Sequence, residues 1–199
     1  MTIRYPKGIA PRAEGELTKK SKRKVKAKIA SGNRGMAFEA DINNSNQYYR
    51  DHDLAVITKR PTPINIVKVD YSKGATITQA YFETQSTTDY NGVYKGRYID
   101  FEAKSTHGST AFPLSNIPHQ QIEHLERVIA HGGIAFFLIQ CVAIEETYLV
   151  PASYIVSFYR ERPRQSIPFT ALKENGYLVK EGYSPRYDYL PLVEEVFLK

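Results

Sequence analysis

The sequence predicts an α/β domain, and three stretches carry that prediction. The run Ile134–Val142 is almost continuously apolar, as expected for a central strand covered on both faces. The stretch Tyr98–Lys104 alternates polar and apolar side chains with the period of two that is typical of a half-buried strand. Between them, residues 118–131 place apolar side chains at helical spacing. A strand, a helix and a further strand in this order favour an α/β domain over an all-β one.

The composition fits one globular domain with a basic extension. Of 199 residues, 42% are hydrophobic, which is slightly below the usual range for a folded domain. Residues 1–32 hold ten of the 27 Lys and Arg and two of the 21 acids, a local net charge of +8, so the rest carries −2 of the total +6. We expect residues 1–32 to be a disordered arm that binds a polyanion, although a solubilising tail would have the same composition. Residues 33–199 would form the domain.

The sequence argues against several classes of protein. Cys141 is the one cysteine and lies in an apolar run, which excludes an internal disulfide framework and fits a reducing cytoplasm. No stretch is long and apolar enough to span a membrane, and the first residues lack the apolar core of a signal peptide. The five histidines show no spacing typical of a zinc site. We therefore expect a cytoplasmic protein without a membrane partner.

A helix and a short strand are predicted at the start of the domain. Residues 34–50 would form the helix, with Asn33 as its N-cap. Glu39 and Asn46 fall on one polar stripe of this helix, so Glu39 would either look into a polar site or be a solvated acid. The strand would be residues 54–58 (LAVIT), a short and buried element.

A long β-hairpin is predicted next. Its arms would be Ile64–Tyr71 and Thr76–Phe82, joined by a turn at Ser72-Lys73-Gly74. The arms are long for a domain of this size, and four basic residues lie on them or at their base. An ordinary edge hairpin is the alternative interpretation. The basic residues are Lys59, Arg60, Lys68 and Lys73.

The stretch Thr87–Lys104 contains the candidate site. Asp100, Glu102 and Lys104 share one face of the predicted strand, and a bend at two Gly-containing turns would bring Asp89 back beside Glu102. Two carboxylates beside one ammonium would bind a hard divalent cation and leave the ammonium to meet a negatively charged substrate. The alternative is a set of ordinary acid–lysine pairs on an exposed sheet face. The opposite face is apolar and consists of Ile99, Phe101 and Ala103.

Several motifs stand in a fixed order between residues 33 and 199. They are Asn33-Arg34-Gly35-Met36, Lys59-Arg60-Pro61-Thr62-Pro63, residues 86–94 (STTDYNGVY), residues 98–104 (YIDFEAK), Phe112-Pro113-Leu114, Gln121-Ile122-Glu123-His124, residues 182–186 (GYSPR) and Asp188-Tyr189. Taken together, they resemble the RecU-type Holliday junction resolvases of Gram-positive bacteria. The basic run at residues 19–28 is the part least well matched.

This resemblance implies a restriction-endonuclease-like fold, that is, a mixed sheet flanked by helices. The hairpin, about residues 60–86, would project as a stalk into the centre of a DNA junction. The family acts as a homodimer on four-way junction DNA with Mg²⁺ or Mn²⁺, making paired symmetric nicks in recombination, DNA repair and chromosome segregation. A strand-exchange recombinase and a branch-migration helicase would be its protein partners.

The resemblance also implies roles for individual residues. Thr87, Asp89, Glu102 and Gln121 would contact the metal. Lys104 would act with Asp89 and Glu102 in catalysis, by stabilising the transition state or orienting the attacking water. Asp100 and Glu39 are second-rank candidates for the active site, which geometry suggests and the resemblance matches less securely. The candidate DNA contacts are the basic residues Lys59, Arg60, Lys68, Lys73, Arg34, Lys22, Arg23 and Lys24.

Two other functions remain open on the sequence. A non-catalytic DNA-binding or strand-annealing module would use the basic arm and the C-terminal region rich in Tyr and Arg. Such a module would not need the set of residues around Glu102. A sequence-specific restriction enzyme would need contacts to base edges, which no motif here predicts.

Overall fold

The computed structural model describes residues 35–83 and 87–199, and the fold lies in the compact unit Ala37–Lys199. Its helices are α1 (35–51), α2 (His119–Ala130), α3 (Ala152–Glu161), α4 (Phe169–Asn175) and α5 (Leu190–Phe197). Its strands are β1 (Val56–Lys59), β2 (Ile64–Asp70), β3 (Thr76–Phe82), β4 (Tyr90–Tyr94), β5 (Arg97–Thr106), β6 (Ala111–Pro113), β7 (Ile134–Cys141), β8 (Glu146–Pro151), β9 (Ser166–Pro168), β10 (Tyr177–Leu178), β11 (Lys180–Glu181) and β12 (Tyr187–Asp188).

A six-stranded mixed sheet, in the order β1-β4-β5-β7-β8-β10, forms the centre of this unit. β5 and β7 run parallel, and every other neighbouring pair in the sheet is antiparallel. Phe101 of β5 is paired with Tyr90 on one side and Phe136 on the other, and its ring stacks on both, with centroids 4.8 and 4.7 Å apart. The predicted class, a mixed α/β sheet flanked by helices, is confirmed.

Two apolar layers cover the two faces of the sheet. Side chains of α1 and α5 form one layer, and side chains of α2, α3 and α4 form the other. The strand β7 feeds both layers, because Phe136 and Leu138 point into the first and Phe137 and Ile139 into the second. Each of these fully buried side chains contributes about 2 kcal/mol of hydrophobic stabilisation. This explains why β7 appears in the sequence as a continuous apolar run.

Strand β5 instead divides its two faces by polarity. Ile99, Phe101 and Ala103 join the apolar layer of α1 and α5, as the alternation of the sequence predicts. Asp100 and Glu102 point to the α2 side of the sheet and are both fully buried. The apolar face of β5 is packed against α1 and α5, and the opposite face buries two carboxylates. Burying a carboxylate costs free energy unless it is paired and hydrogen-bonded, so the surroundings of each one matter.

One detail near the start of the domain differs from the predictions. β1 is an edge strand, and of its four residues Ile57 alone is buried, so the expectation of a buried strand at residues 54–58 is wrong. β4 lies close against it, since a Cβ on Gly92 would come 2.1 Å from the Val56 carbonyl oxygen. Asn46, which the sequence places on a polar stripe of α1, is buried, and its side-chain oxygen accepts a hydrogen bond from the Tyr189 hydroxyl.

The strands β2 and β3 form a hairpin and pair only with each other among the described strands. Their bounds match the predicted arms within one residue, and Gly74 in the turn has a φ of +106°, a conformation that favours glycine. Nearly every hairpin side chain is exposed, including Lys68 and Lys73, so the hairpin adds nothing to either apolar layer.

Some predictions concern residues outside the described ranges. These are the basic arm at residues 1–32 and the candidate DNA contacts Arg34, Lys22, Arg23 and Lys24. Within the ranges that the structure describes, none of the helices has the length and apolar character required to cross a membrane.

Candidate active site

Glu102 is the meeting point of three segments of the chain. Its Oε1 accepts a hydrogen bond of 2.9 Å from Gln121 Nε2 on α2 and lies 2.5 Å from Lys104 Nζ on the same strand. Its Oε2 accepts a hydrogen bond of 2.9 Å from the backbone N–H of Asp89. The predicted convergence of Asp89, Lys104 and Gln121 on Glu102 is therefore present in the structure.

The pairing of β4 with β5 brings Asp89 to this point. Tyr90 lies opposite Phe101 in the antiparallel ladder, so the preceding residue, Asp89, reaches Glu102. The turn between the strands is made by Lys95 and Gly96, with φ of 47° and 73°, as a tight hairpin turn requires. Of the two predicted turns, the one at Lys95-Gly96 forms, in a tight two-residue geometry, whereas Asn91 and Gly92 pair within β4 and make no turn.

Burial and charge together set the protonation of Glu102. Burial raises the pKa of this carboxyl, the Lys104 ammonium lowers it, and the neighbouring Asp89 carboxylate raises it again. The resulting pKa is about 7, well above the usual value of a glutamate. Glu102 thus lacks enough positive charge around it to be fully ionised at neutral pH, and a bound cation would supply that charge.

Gln121, which contacts Glu102, has a buried side-chain oxygen without a hydrogen-bond partner among the described residues. Its Nε2 donates to Glu102, and the buried oxygen is Oε1. Reversing the amide would set its oxygen against the Glu102 carboxylate, so the donor orientation is the favourable one. A buried acceptor without a donor, beside two carboxylates, matches the oxygen ligands that hard cations take.

Thr87 completes the predicted metal set and lies in the same segment as Asp89, partly exposed. The set therefore combines two carboxylates, one amide oxygen and one hydroxyl. Such an all-oxygen set suits Mg²⁺ or Mn²⁺ and not a soft metal. In the described part of the chain no three or more His, Cys, Asp or Glu side chains gather in a metal-binding group, as expected for a site with only two acids.

Asp100, the other carboxylate on this face, is surrounded by donors. Its Oδ2 lies 2.7 Å from Arg60 Nη2, 2.7 Å from the Tyr98 hydroxyl and 2.9 Å from His124 Nε2. Its Oδ1 accepts a hydrogen bond from the Thr88 hydroxyl. Burial raises the pKa of Asp100, but the hydrogen bonds from these four donors outweigh it and hold the pKa below the usual value. We call these five residues the Asp100 cluster.

The remaining predicted residues lie away from Glu102 or make other contacts. The Glu39 carboxylate pairs with Lys59, and the Glu39 backbone carbonyl accepts a hydrogen bond of 3.3 Å from the Tyr90 hydroxyl. Lys59 is exposed at the end of β1. Arg60, predicted as a DNA contact, has its guanidinium engaged inside the protein by the Asp100 cluster.

Three members of the Asp100 cluster were not predicted from the sequence. His124 follows Gln121 by three residues, so helical spacing could have placed both on one side of α2. Tyr98 precedes Asp100 by two residues, so the strand period could have placed it on the same face. No spacing pattern in the sequence indicated Thr88. The prediction for this segment concerned only its two neighbours, Thr87 and Asp89, as metal ligands.

Comparison with known proteins identifies the family of the chain. The family model described as RecU, Recombination protein U, matches residues 33–195. The Holliday junction resolvase RecU of Lactococcus lactis subsp. cremoris (strain MG1363) is 48% identical over 208 aligned residues, covering 98% of this chain and 98% of the relative. The protein of the same name from Bacillus cytotoxicus is 46% identical over 202 residues, covering 99% of each chain.

A solved structure is similar only at a distance. The Holliday junction resolvase Hjc of Archaeoglobus fulgidus shares 11% sequence identity, with a TM-score of 0.37 over 67% of this chain and 85% of the other. A likeness this weak adds nothing to the assignment. The family match over residues 33–195 and the near-complete coverage of relatives close to half identical are sufficient: the chain belongs to the RecU family.

Proposed function

We propose that this protein is a divalent-metal-dependent endonuclease that resolves four-way DNA junctions by paired symmetric nicks. Its curated relatives carry the name Holliday junction resolvase, and their identity to this chain extends over nearly its whole length. The observation that carries the proposal is the buried Glu102 carboxylate, which contacts Asp89, Lys104 and the Gln121 amide nitrogen, while the oxygen of the same amide is left without a partner in the described part of the chain.

The oxygen atoms around Glu102 would hold Mg²⁺ or Mn²⁺. Asp89 and Glu102 would provide carboxylate ligands, and Gln121 and Thr87 would add an amide and a hydroxyl oxygen. When bound, the cation supplies Lewis-acid stabilisation of phosphate charge and a more acidic water. Glu102 and Gln121 are already held together by a hydrogen bond from the Gln121 nitrogen, which leaves the Gln121 oxygen as the amide atom available for a cation.

Lys104 would act on the substrate directly. Its side chain is 22% exposed, so the ammonium reaches the surface while it contacts the fully buried Glu102. From this position the Lys104 ammonium would contact an oxygen of the scissile phosphate while Glu102 serves as a metal ligand. A positive charge fixed at that position stabilises the additional negative charge of the transition state.

The substrate favours a two-fold arrangement of subunits. Resolution of a junction requires cuts in two symmetry-related strands, which a homodimer with two equivalent sites can make. The exposed hairpin would enter the centre of the junction, with Lys68 and Lys73 available to DNA phosphates. A strand-exchange recombinase and a branch-migration helicase are the partners that we propose, in the reducing cytoplasm that the buried Cys141 thiol suits.

A non-catalytic DNA-binding or strand-annealing module is the second candidate. It would explain the exposed basic residues, but it gives no reason to bury a carboxylate with a pKa raised to about 7. Such a group costs folding stability at neutral pH, which a protein that merely binds DNA could avoid with an apolar residue.

The test is cleavage of a synthetic four-way junction beside a linear duplex of the same sequence, in Mg²⁺. The wild type should make paired symmetric nicks in the junction alone, and Asp89→Ala should make none. Asp51→Ala is the matched control, because Asp51 is an exposed aspartate on α1. Binding without cutting by the wild type would favour the non-catalytic module, and equal cutting of the duplex would remove the junction specificity.

A further inference from the structure

Arg60 makes a set of contacts that a DNA-binding residue would not need. Its Nη1 lies 3.1 Å from the Thr88 carbonyl oxygen and 2.8 Å from the Thr88 hydroxyl. Its Nη2 lies 2.7 Å from Asp100 Oδ2 and 2.8 Å from the Tyr98 hydroxyl. The side chain is only 19% exposed. A guanidinium has five N–H donors in a fixed plane, and most of them are already directed at protein acceptors.

The backbone of Arg60 holds the same segment. Its N–H donates a hydrogen bond of 2.7 Å to the carbonyl oxygen of Asp89. Arg60 therefore fixes Thr88 by its side chain and Asp89 by its main chain. The position of Asp89 relative to Glu102 depends on this anchor.

The Asp100 cluster extends the anchor to the other parts of the site. Asp100 lies two residues before Glu102 on the same face of β5, and His124 lies one helical turn after Gln121 on α2. The salt bridge from Arg60 and the hydrogen bond from His124 meet on one oxygen, Asp100 Oδ2. Each segment that carries a proposed metal ligand is thus tied to one buried carboxylate.

We infer that Arg60 is a positioning residue for the metal site, acting through Thr88, Asp89 and the Asp100 cluster, and is not a contact to DNA. The inference rests on the proposed function for its link to cleavage, whereas its link to metal binding stands on the geometry alone. It also separates Arg60 from its neighbour Lys59, which is exposed and pairs with Glu39. The base of the hairpin, between β1 and β2, is therefore part of the active-site framework.

Three variants test this inference. Arg60→Ala removes the side-chain contacts to Thr88, Tyr98 and Asp100 and leaves the main-chain bond to Asp89. Arg60→Lys keeps a positive charge beside Asp100 without the second set of donors. Thr88→Val removes the hydroxyl that joins Arg60 to Asp100 and is the milder change for folding. Arg160→Ala is the matched control, because Arg160 also makes a two-nitrogen contact, with Glu126 of α2, at 2.8 and 2.5 Å, outside the Asp100 cluster.

Two measurements are made on each variant, after thermal unfolding has shown that it is folded. The first is Mn²⁺ affinity without DNA, by electron paramagnetic resonance. The second is junction cleavage, separated into the Kd for the junction without metal and the single-turnover rate at saturating protein. Arg60→Ala and Thr88→Val should each lower Mn²⁺ affinity and the single-turnover rate by about tenfold or more, since partners behind metal ligands typically have effects of this size. The junction Kd should stay at the wild-type value, Arg60→Lys should recover only part of the loss because an ammonium cannot replace the two-nitrogen contact, and Arg160→Ala should match the wild type.

Other results would overturn the inference. If Arg60→Ala raised the junction Kd but kept the wild-type Mn²⁺ affinity and single-turnover rate, Arg60 would be a DNA contact. The same loss in Arg160→Ala would show a general loosening of α2 instead of positioning. If Arg60→Ala does not fold, wild-type Mn²⁺ affinity in Thr88→Val overturns the inference. A wild type that binds Mn²⁺ but cuts no junction would reject the proposed function, while the Mn²⁺ comparison would still decide the role of Arg60.

Discussion

Asp100 and Glu102 are two buried carboxylates on one face of one strand, and their surroundings are opposite. Both side chains are fully buried, and only one residue separates them in the sequence. Donors from four side chains surround Asp100 and hold its pKa below the usual value. Glu102 has fewer donors and a second carboxylate beside it, and its pKa rises to about 7. The first carboxylate has its donors within the protein, whereas we propose that a cation completes the surroundings of the second.

This difference shows how one strand can serve both structure and chemistry. A buried charge stabilises a fold only when its partners repay the cost of desolvation. Asp100 meets that condition through Arg60 and His124, so it can organise the segments around it. Glu102 does not meet it, so part of its interaction free energy remains available to a ligand. A substitution at Glu102 should therefore lower mainly the activity, whereas a substitution at Asp100 should lower the stability.

The largest effect is expected for activity in Glu102→Gln. The variant keeps the shape of the side chain but removes the charge that holds the cation, so junction cleavage should fall on the order of a thousandfold. Its free energy of unfolding without metal should stay within about 1 kcal/mol of the wild type, because a partly protonated group loses little. The single-turnover rate measures the loss of cleavage, and urea denaturation measures the free energy of unfolding. A fully active Glu102→Gln variant would contradict the account.

The next effect is on stability in Asp100→Asn. Removing this charge leaves Arg60 buried without its partner, and the free energy of unfolding should fall by about 3 kcal/mol. Urea denaturation without metal measures this loss. Asp51→Asn, at an exposed position, should have no comparable effect. If Asp100→Asn were as stable as Glu102→Gln, the contrast between the two carboxylates would be lost.

A third prediction concerns stability and pH without metal. Because the folded pKa of Glu102 is raised to about 7, its contribution to stability is present below the unfolded value of 4.5 and is lost as pH rises through about 7. Between pH 5 and 7.5 this group should lower the free energy of unfolding by about 2 kcal/mol. The lowered pKa of Asp100 has the opposite sign, since its contribution is lost as pH falls through the folded pKa, below 3.8. Denaturation of Glu102→Gln should show a smaller slope between pH 5 and 7.5, and an unchanged slope would assign the titration to another group.

The smallest effect is on metal affinity as pH changes. Below about pH 7 the cation must displace a proton from Glu102, so Mg²⁺ affinity should fall by up to about tenfold per pH unit. Above that pH the affinity should level off. Calorimetry at pH 6 and pH 8.5, in buffers with different ionisation enthalpies, should show the release of a proton at the lower pH only. Affinity that does not change with pH would mean that Glu102 is already ionised in the free protein.

Local sequence patterns were sufficient to predict the main elements. Each of these patterns determines the structure of the few residues that carry it. They are the apolar run of β7, the alternation of β5 and the turn residues of the hairpin. The convergence of Asp89 on Glu102 also followed, because a tight turn fixes the register of the two strands that it joins. The resemblance to the family supplied Gln121, which helical periodicity alone would not have selected.

Contacts between distant residues could not be predicted in the same way. Arg60 is 40 positions from Asp100, and Asn46 is 143 positions from the tyrosine that it bonds, so neither pair is visible in a local pattern. Arg60 was predicted as a DNA contact because it is a basic residue beside a predicted hairpin. Its partner in the structure is Asp100 of β5, and a local pattern does not show where β5 lies relative to Arg60. β1 was expected to be buried because of its apolar sequence, but its position at the edge of the sheet decides its exposure.

The most direct test of the difference between Asp100 and Glu102 is to locate the cation by anomalous X-ray diffraction. Crystals grown without metal would be soaked in Mn²⁺, and data would be collected where manganese scatters anomalously. We expect an anomalous peak among the oxygens of Asp89, Glu102 and Gln121, with none at Asp100. A peak at Asp100, or none beside Glu102, would contradict the account.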